Sequence, residues 1–114
     1  ILKSSNGINW TSITSGTSEN LRAGTYGGST YVVVGYSGTI LTSKDSNSWT
    51  SRTSGTTDNL TNLAYGNNTF LAIGTSGTIL KSTDGITWNS QASGTTNSLY
   101  GVAYAKKHMD SNWR

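Results

Sequence analysis

Apolar residues lie along this chain in short clusters, none at helical spacing, and each cluster is closed by Gly, Asn, Ser or Thr. Val, Ile, Tyr and Trp scattered among such breakers predict many short β-strands joined by tight turns. Between residues 60 and 90 the pattern predicts four strands, at about Leu60–Tyr65, Thr69–Gly74, Thr78–Ser82 and Ile86–Ser90. The second, Phe70-Leu71-Ala72-Ile73, is apolar without alternation, as is Tyr31-Val32-Val33-Val34 earlier in the chain. A strand of that kind is covered on both faces. The connections at Gly66-Asn67-Asn68 and Ser76-Gly77 are short enough for hairpins, with Gly and Asn supplying the positive φ such turns need.

The pattern repeats. Trp10, Trp49 and Trp88 are 39 residues apart, and the same interval separates Ile1-Leu2, Ile40-Leu41 and Ile79-Leu80. Leu21, Leu60 and Leu99 follow it, as do Tyr26, Tyr65 and Tyr104, and the Ser-Gly-Thr triplets beginning at Ser15, Ser54 and Ser93. A second Ser-Gly-Thr recurs at Ser37 and Ser76. Intervals without insertion mean that each unit packs in an equivalent setting, and divide the chain into about 1–39, 40–78 and an incomplete 79–104. Four strands in a unit of about 40 residues match a β-propeller blade, so the expected fold class is all-β, built of propeller blades. A β-trefoil also has three four-stranded units and is the alternative. Its units are usually longer, and doubly covered strands suit stacked blades better.

The first unit starts at what would be a third strand, a stagger that lets N-terminal strands complete a C-terminal blade. After Tyr104 the repeat breaks off, and residues 105–114 share nothing with the strand Phe70–Gly74. With suitable codons, a one-base shift of reading frame turns this tail into Lys-Asn-Ile-Trp-Ile-Ala-Ile-Gly, a fitting second strand. The expectation is that a frameshift interrupts a longer propeller sequence here; codons unable to encode that peptide would exclude it. On this reading Lys106-Lys107-His108 is not a functional basic patch.

Before each Trp lies a turn, reading Ser4-Ser5-Asn6-Gly7-Ile8-Asn9-Trp10, Ser43-Lys44-Asp45-Ser46-Asn47-Ser48-Trp49 and Ser82-Thr83-Asp84-Gly85-Ile86-Thr87-Trp88. It resembles the Asp-box of the bacterial neuraminidase repeat, Ser-x-Asp-x-Gly-x-Thr-Trp, with one residue fewer between Asp and Trp. The unit as a whole is similar to Ser-Gly-Thr-rich propeller repeats of bacterial and viral proteins and of photosystem II assembly factors. This resemblance implies a propeller fold and a structural turn remote from any active site. In such a turn Asp or Asn accepts backbone N–H groups, Ser ties the opposite strand, and Gly takes the left-handed conformation. Trp then packs between sheets with its indole N–H on an acceptor. The residues so assigned are Ser4, Asn6, Gly7, Trp10, Ser43, Asp45, Trp49, Ser82, Asp84, Gly85 and Trp88. Asn at position 6 and Ser at position 46, where the other copies have Asp and Gly, argue against a strict ligand role.

Composition narrows the function. Hydrophobic residues make up 32% of the chain, against about 45–50% in ordinary globular proteins, so the core is thin or shared. Charged residues supply only 11%, leaving a hydroxyl- and amide-rich surface that suits a secreted or surface protein. The net charge of +3 comes from dispersed cations. A nucleic-acid footprint would need a stripe of them interleaved with aromatics, so no nucleic-acid partner is expected. No apolar run is long enough to span a bilayer. With no cysteine, disulfides and thiolate metal sites are excluded.

Catalytic chemistry has little to stand on. The one histidine, His108, lies in the aberrant tail, so neither a Ser/His/Asp arrangement nor a histidine metal site is supported. Asp45 and Asp84 are turn residues, while Glu19 and Asp58 share one loop position, which leaves no carboxylate pair for glycoside hydrolysis. Arg22, Arg52 and Arg114 occupy unrelated repeat positions, so the sialidase arginine cluster does not carry over from the resemblance. We therefore expect no enzyme, no cofactor and no metal, but a recognition module that binds a glycan or a protein. Tyr36 and Tyr100 are its candidate ligand-binding residues, against the plainer reading of partial core packing. A structural or assembly role, like that of the photosystem factors, is the second reading; a truncated piece of a longer propeller without independent function is the third. Open blade faces would expose apolar strands and unpaired edges, so a homo-oligomer is expected, with two copies making a six-bladed ring.

Overall fold

The computed structural model describes residues 1–102 of the chain. It contains ten strands: β1 (Leu2–Lys3), β2 (Thr11–Ser12), β3 (Leu21–Gly27), β4 (Thr30–Gly35), β5 (Ile40–Ser43), β6 (Thr50–Arg52), β7 (Leu60–Gly66), β8 (Thr69–Gly74), β9 (Ile79–Ser82) and β10 (Asn89–Gln91). β3-β4-β5-β6 form one antiparallel four-stranded meander and β7-β8-β9-β10 a second; β1 and β2 pair alone. These are two complete propeller blades, here blade 1 and blade 2, preceded by the outer half of another. Tyr104, the tail 105–114 and the Lys106-Lys107-His108 cluster lie outside the described residues.

Local chemistry sets each connection. Gly28-Ser29 and Asn67-Asn68, between the first and second strands, all have positive φ, from 51° to 63°. That is the backbone of a two-residue type I′ hairpin, which matches the right-handed twist of the strands it joins. The next connection is a 3-10 turn, Tyr36–Gly38 in blade 1 and Thr75–Gly77 in blade 2. The predicted fourth strand is corrected: it begins at Asn89, not Ile86. The N–H groups of Ile86 and Thr87 are taken by the Asp84 carboxylate, so neither is free to join a ladder.

The core lies between the blades more than within either. Val32, Val34 and Ile40 of blade 1 form one buried cluster with Leu60, Leu63, Phe70, Ala72, Leu80 and Trp88 of blade 2. Sheets stacked through a shared apolar layer explain how a chain with so few apolar residues has a core, and they settle the architecture as blades instead of a trefoil barrel. Tyr65 drives the fit. Its ring lies where a Cβ on Gly27 would sit, 2.2 Å from the ideal position, so only glycine at that position lets the blades approach. Double coverage holds for β8, where every residue from Phe70 to Gly74 is buried. It fails for β4, where Tyr31 is exposed, because the half-blade on that side has no inner strands to cover it.

Candidate functional site

The three Trp-preceding turns fold alike. In the third, the Asp84 carboxylate accepts the N–H groups of Ile86 at 2.8 Å and Thr87 at 2.9 Å. The Ser82 hydroxyl donates to Asp84 Oδ1 at 3.1 Å and accepts Gly85 N–H at 2.8 Å. Serine thus closes the turn itself and does not tie the opposite strand, as the sequence suggested. Asp45 with Ser43, and Asn6 with Ser4, repeat the arrangement. Gly7, Ser46 and Gly85 take φ of 77°, 64° and 78° at the same position. Backbone N–H groups of Ser48 and then Asn47 hold the Asp45 carboxyl below the ordinary aspartate range, and those of Thr87 and then Ile86 do so for Asp84. Each carboxylate holds its own turn through Oδ1.

The tryptophans diverge. Trp88 is buried against Phe70, ring centroids 6.2 Å apart, and its indole donates to Gly85 O at 2.9 Å. Trp49 is partly buried, edge-on to Tyr31 at 6.5 Å. Trp10, expected to pack between sheets, is 59% exposed; its half-blade lacks the strand that would carry a partner ring. These turns hold the blade ends in shape through their own hydrogen bonds.

The other end of the sheets is different. There the long connections 13–20, 53–59 and 92–98 meet the 3-10 turns. A Cβ on Gly38 would fall 1.9 Å from Thr56 O, and one on Gly77 would fall 2.0 Å from Thr95 O. In each Ser-Gly-Thr loop the serine hydroxyl donates to the threonine carbonyl, at 3.0–3.1 Å. Asn59 joins the blades: its side-chain oxygen accepts Ser37 N–H at 3.0 Å, while its carbonyl accepts Thr75 N–H at 2.9 Å. Glu19 accepts from the Ser37 hydroxyl at 3.2 Å, and Asp58 from the Thr78 hydroxyl at 2.7 Å. This loop face is a hydrogen-bonded platform rich in hydroxyl and carbonyl groups.

Both candidate tyrosines stand at this end. Tyr36 opens the first 3-10 turn, half-buried, with the Arg22 guanidinium 5.8 Å from its ring centroid. Tyr100 is 64% exposed, just beyond Leu99, whose N–H bonds to Gly74 O; its own carbonyl accepts from the Asn62 amide at 2.9 Å. Sequence reasoning missed the bulges that re-aim side chains here. Register shifts between Leu21 and Ala23, and again between Leu60 and Asn62, leave Arg22 and Thr61 out of the ladder. The freed Arg22 covers Tyr36, and the freed Thr61 donates its hydroxyl to Leu99 O. The available signal was the repeat alignment, in which Arg22, Thr61 and Tyr100 share one position.

Among the described residues no group of three or more His, Cys, Asp or Glu is placed to hold a metal ion. No helix among them is long and apolar enough to cross a membrane. No curated protein and no solved structure matches the chain significantly. A family model does: the DUF6242 beta propeller domain matches residues 9–109. With two stacked four-stranded meanders and that match across most of its length, the chain belongs to the DUF6242 beta propeller domain family.

Proposed function

We propose that the chain is a non-catalytic recognition module whose glycan or protein ligand docks on the loop face, with Tyr36 and Tyr100 as contact side chains. The observation that carries this reading is where the copies differ. Arg22 aligns with Thr61 and Tyr100, Tyr36 with Thr75, and Glu19 with Asp58 and Asn97, while the Ser-Gly-Thr loops beneath them stay constant. Varied side chains on a constant, hydrogen-bonded platform are how scaffolds present binding residues. The Arg22–Tyr36 pair adds a flat, amphipathic surface on which a sugar ring or an aromatic side chain stacks. The hydrogen bonding of the Trp-preceding turns supports kinship with the Asp-box and its structural role.

Two copies closing a six-bladed ring is the preferred assembly. Its support is the contrast between Tyr26, 55% exposed, and its repeat equivalent Tyr65, seated on Gly27 of the preceding blade. An assembly scaffold is the competing reading, favoured if the loop face takes only protein partners. A glycan array, with melting temperatures in soluble sugars, tests the glycan version: a hit lost in Tyr36→Ala and Tyr100→Ala is expected. No hit and no sugar effect on melting would refute it. Light scattering should give about twice the 12.0 kDa chain mass, and a stable monomer would refute the ring.

A further inference from the structure

At the end of the sheets opposite the loop face, a groove of about 240 Å³ opens between the two blades. Its base includes the buried Thr30 and Thr42 of blade 1, and Asp84 and Ile86 from the turn of blade 2 form its far wall. Lys44 and Arg52 line it from blade 1, and each is held by a hydroxyl instead of a carboxylate. Lys44 Nζ donates to Thr30 Oγ1 at 2.7 Å, and Arg52 Nε to Thr42 Oγ1 at 2.9 Å.

The copies of the repeat differ at the residues that line this space. Where blade 1 has Lys44, the other copies have Ser5 and Thr83; where it has Arg52, they have Ile13 and Gln91; where it has Thr42, they have Lys3 and Lys81. At the preceding junction Lys3 Nζ crosses to Asn47 Oδ1 at 2.8 Å. Between blades 1 and 2 the residue equivalent to Lys3 is the short Thr42, and the one equivalent to Asn47 is the apolar Ile86. No bridge forms there, and two cations from neighbouring positions turn toward the vacant volume.

Donors and acceptors are divided across the groove. With its Nε engaged, Arg52 keeps two terminal nitrogens in the fork that suits a carboxylate, and Lys44 keeps further N–H donors. Asp45 and Asp84 use Oδ1 for their turns, leaving Oδ2 on each to accept a hydroxyl. The volume is below the roughly 300–1,000 Å³ of pockets for drug-sized ligands, which suits one pyranose ring. A bare anion would be opposed by the two carboxylates, and a neutral sugar would leave the two cations unused. We propose that this groove binds an acidic sugar residue, a hexuronate, with its carboxylate on Arg52 and Lys44 and its ring hydroxyls on Asp45 and Asp84.

Titration of glucuronate into the chain, followed by calorimetry or NMR shifts, tests this site, with glucose and inorganic phosphate as comparison ligands. Saturable glucuronate binding is expected, exceeding that of either comparison ligand. It should weaken at least tenfold in Arg52→Gln and in Lys44→Thr, the residues blade 2 carries at those positions and therefore compatible with the fold. Thr42→Lys, the residue both other copies carry, should fill the groove and abolish binding with the melting temperature retained. Absence of saturable binding, equal binding of glucose or phosphate, or unchanged affinity in Thr42→Lys would each overturn the proposal. The loop-face reading is separable, because Tyr36→Ala and Tyr100→Ala should leave glucuronate binding intact.

Discussion

Replacing each repeat tryptophan by alanine would measure how unequal three equivalent positions have become. Trp88 is 8% exposed and Trp10 59%. Taking about 250 Å² for the side chain, Trp88 buries roughly 130 Å² more than Trp10, and at about 25 cal/mol per Å² the difference is about 3 kcal/mol. Differences of this kind are safer than absolute sums, because the unfolded reference cancels. Trp88→Ala also leaves a void beside Phe70, which places its total cost near the upper part of the about 3–5 kcal/mol range for buried aromatics. Trp10→Ala, where solvent already reaches more than half of the ring and roughly 100 Å² stays covered, should cost about 2 kcal/mol by the same area argument. Trp49, partly buried and edge-on to Tyr31, should fall between them. Urea unfolding followed by circular dichroism would give the three values. Thermal melts offer a second readout, at roughly 4–8 °C per kcal/mol for a domain of this size. A Trp10→Ala cost equal to that of Trp88→Ala would refute the reasoning, since it would mean that the turn and not the burial of the ring sets the energy.

Gly27→Ala forces a methyl to within 2.2 Å of the Tyr65 ring and should cost about 1–3 kcal/mol as an overpacking change. A double-mutant cycle with Tyr65→Ala should show that penalty largely relieved, and additive effects would exclude the contact. Gly55 and Gly77 have φ of 80° and 72°, but only Gly77 would press a Cβ against a carbonyl, Thr95 O at 2.0 Å. Gly55→Ala should therefore cost only the left-handed strain, about 1–2 kcal/mol, and Gly77→Ala should lower the melting temperature further. Asp45 and Asp84 have folded-state pKa values below the ordinary one, so the stability they contribute is fully present above the ordinary aspartate value of about 4. It is lost as pH falls from there through the lowered values. Melting curves across that window should be flatter in Asp84→Asn, whose amide oxygen still accepts the two N–H groups as Asn6 does; an unchanged acid limb would refute the assignment.

Period and punctuation made the blades legible, because strand number, the type I′ hairpins and the turn chemistry are local and recur with the sequence. Departures came where a local signal competes with a neighbour. Ile86-Thr87-Trp88 looks like the start of a strand, yet the Asp84 carboxylate takes the N–H groups a strand would use. Tyr31-Val32-Val33-Val34 reads as covered on both sides, yet coverage belongs to the adjoining blade and not to the segment. The candidate site was legible only in part. Tyr36 and Tyr100 could be picked out as aromatics, but the bulge that brings Arg22 over Tyr36 is a two-strand property that no single strand announces.

Because each repeat contacts only its neighbours, a substitution in one copy has consequences confined to one junction. That confinement is what allows a constant scaffold to carry different surfaces. Thr42 in place of lysine would be a trivial change in an isolated strand; at the junction of two blades it removes the bridge that Lys3 makes one unit earlier and leaves volume for Lys44 and Arg52 to serve. The same logic places Tyr100 where Arg22 and Thr61 stand in the preceding copies, changing a loop face without disturbing the Ser-Gly-Thr platform under it. In a molecule of near-identical units, the informative positions are therefore those at which the copies disagree while their hydrogen-bonded surroundings do not.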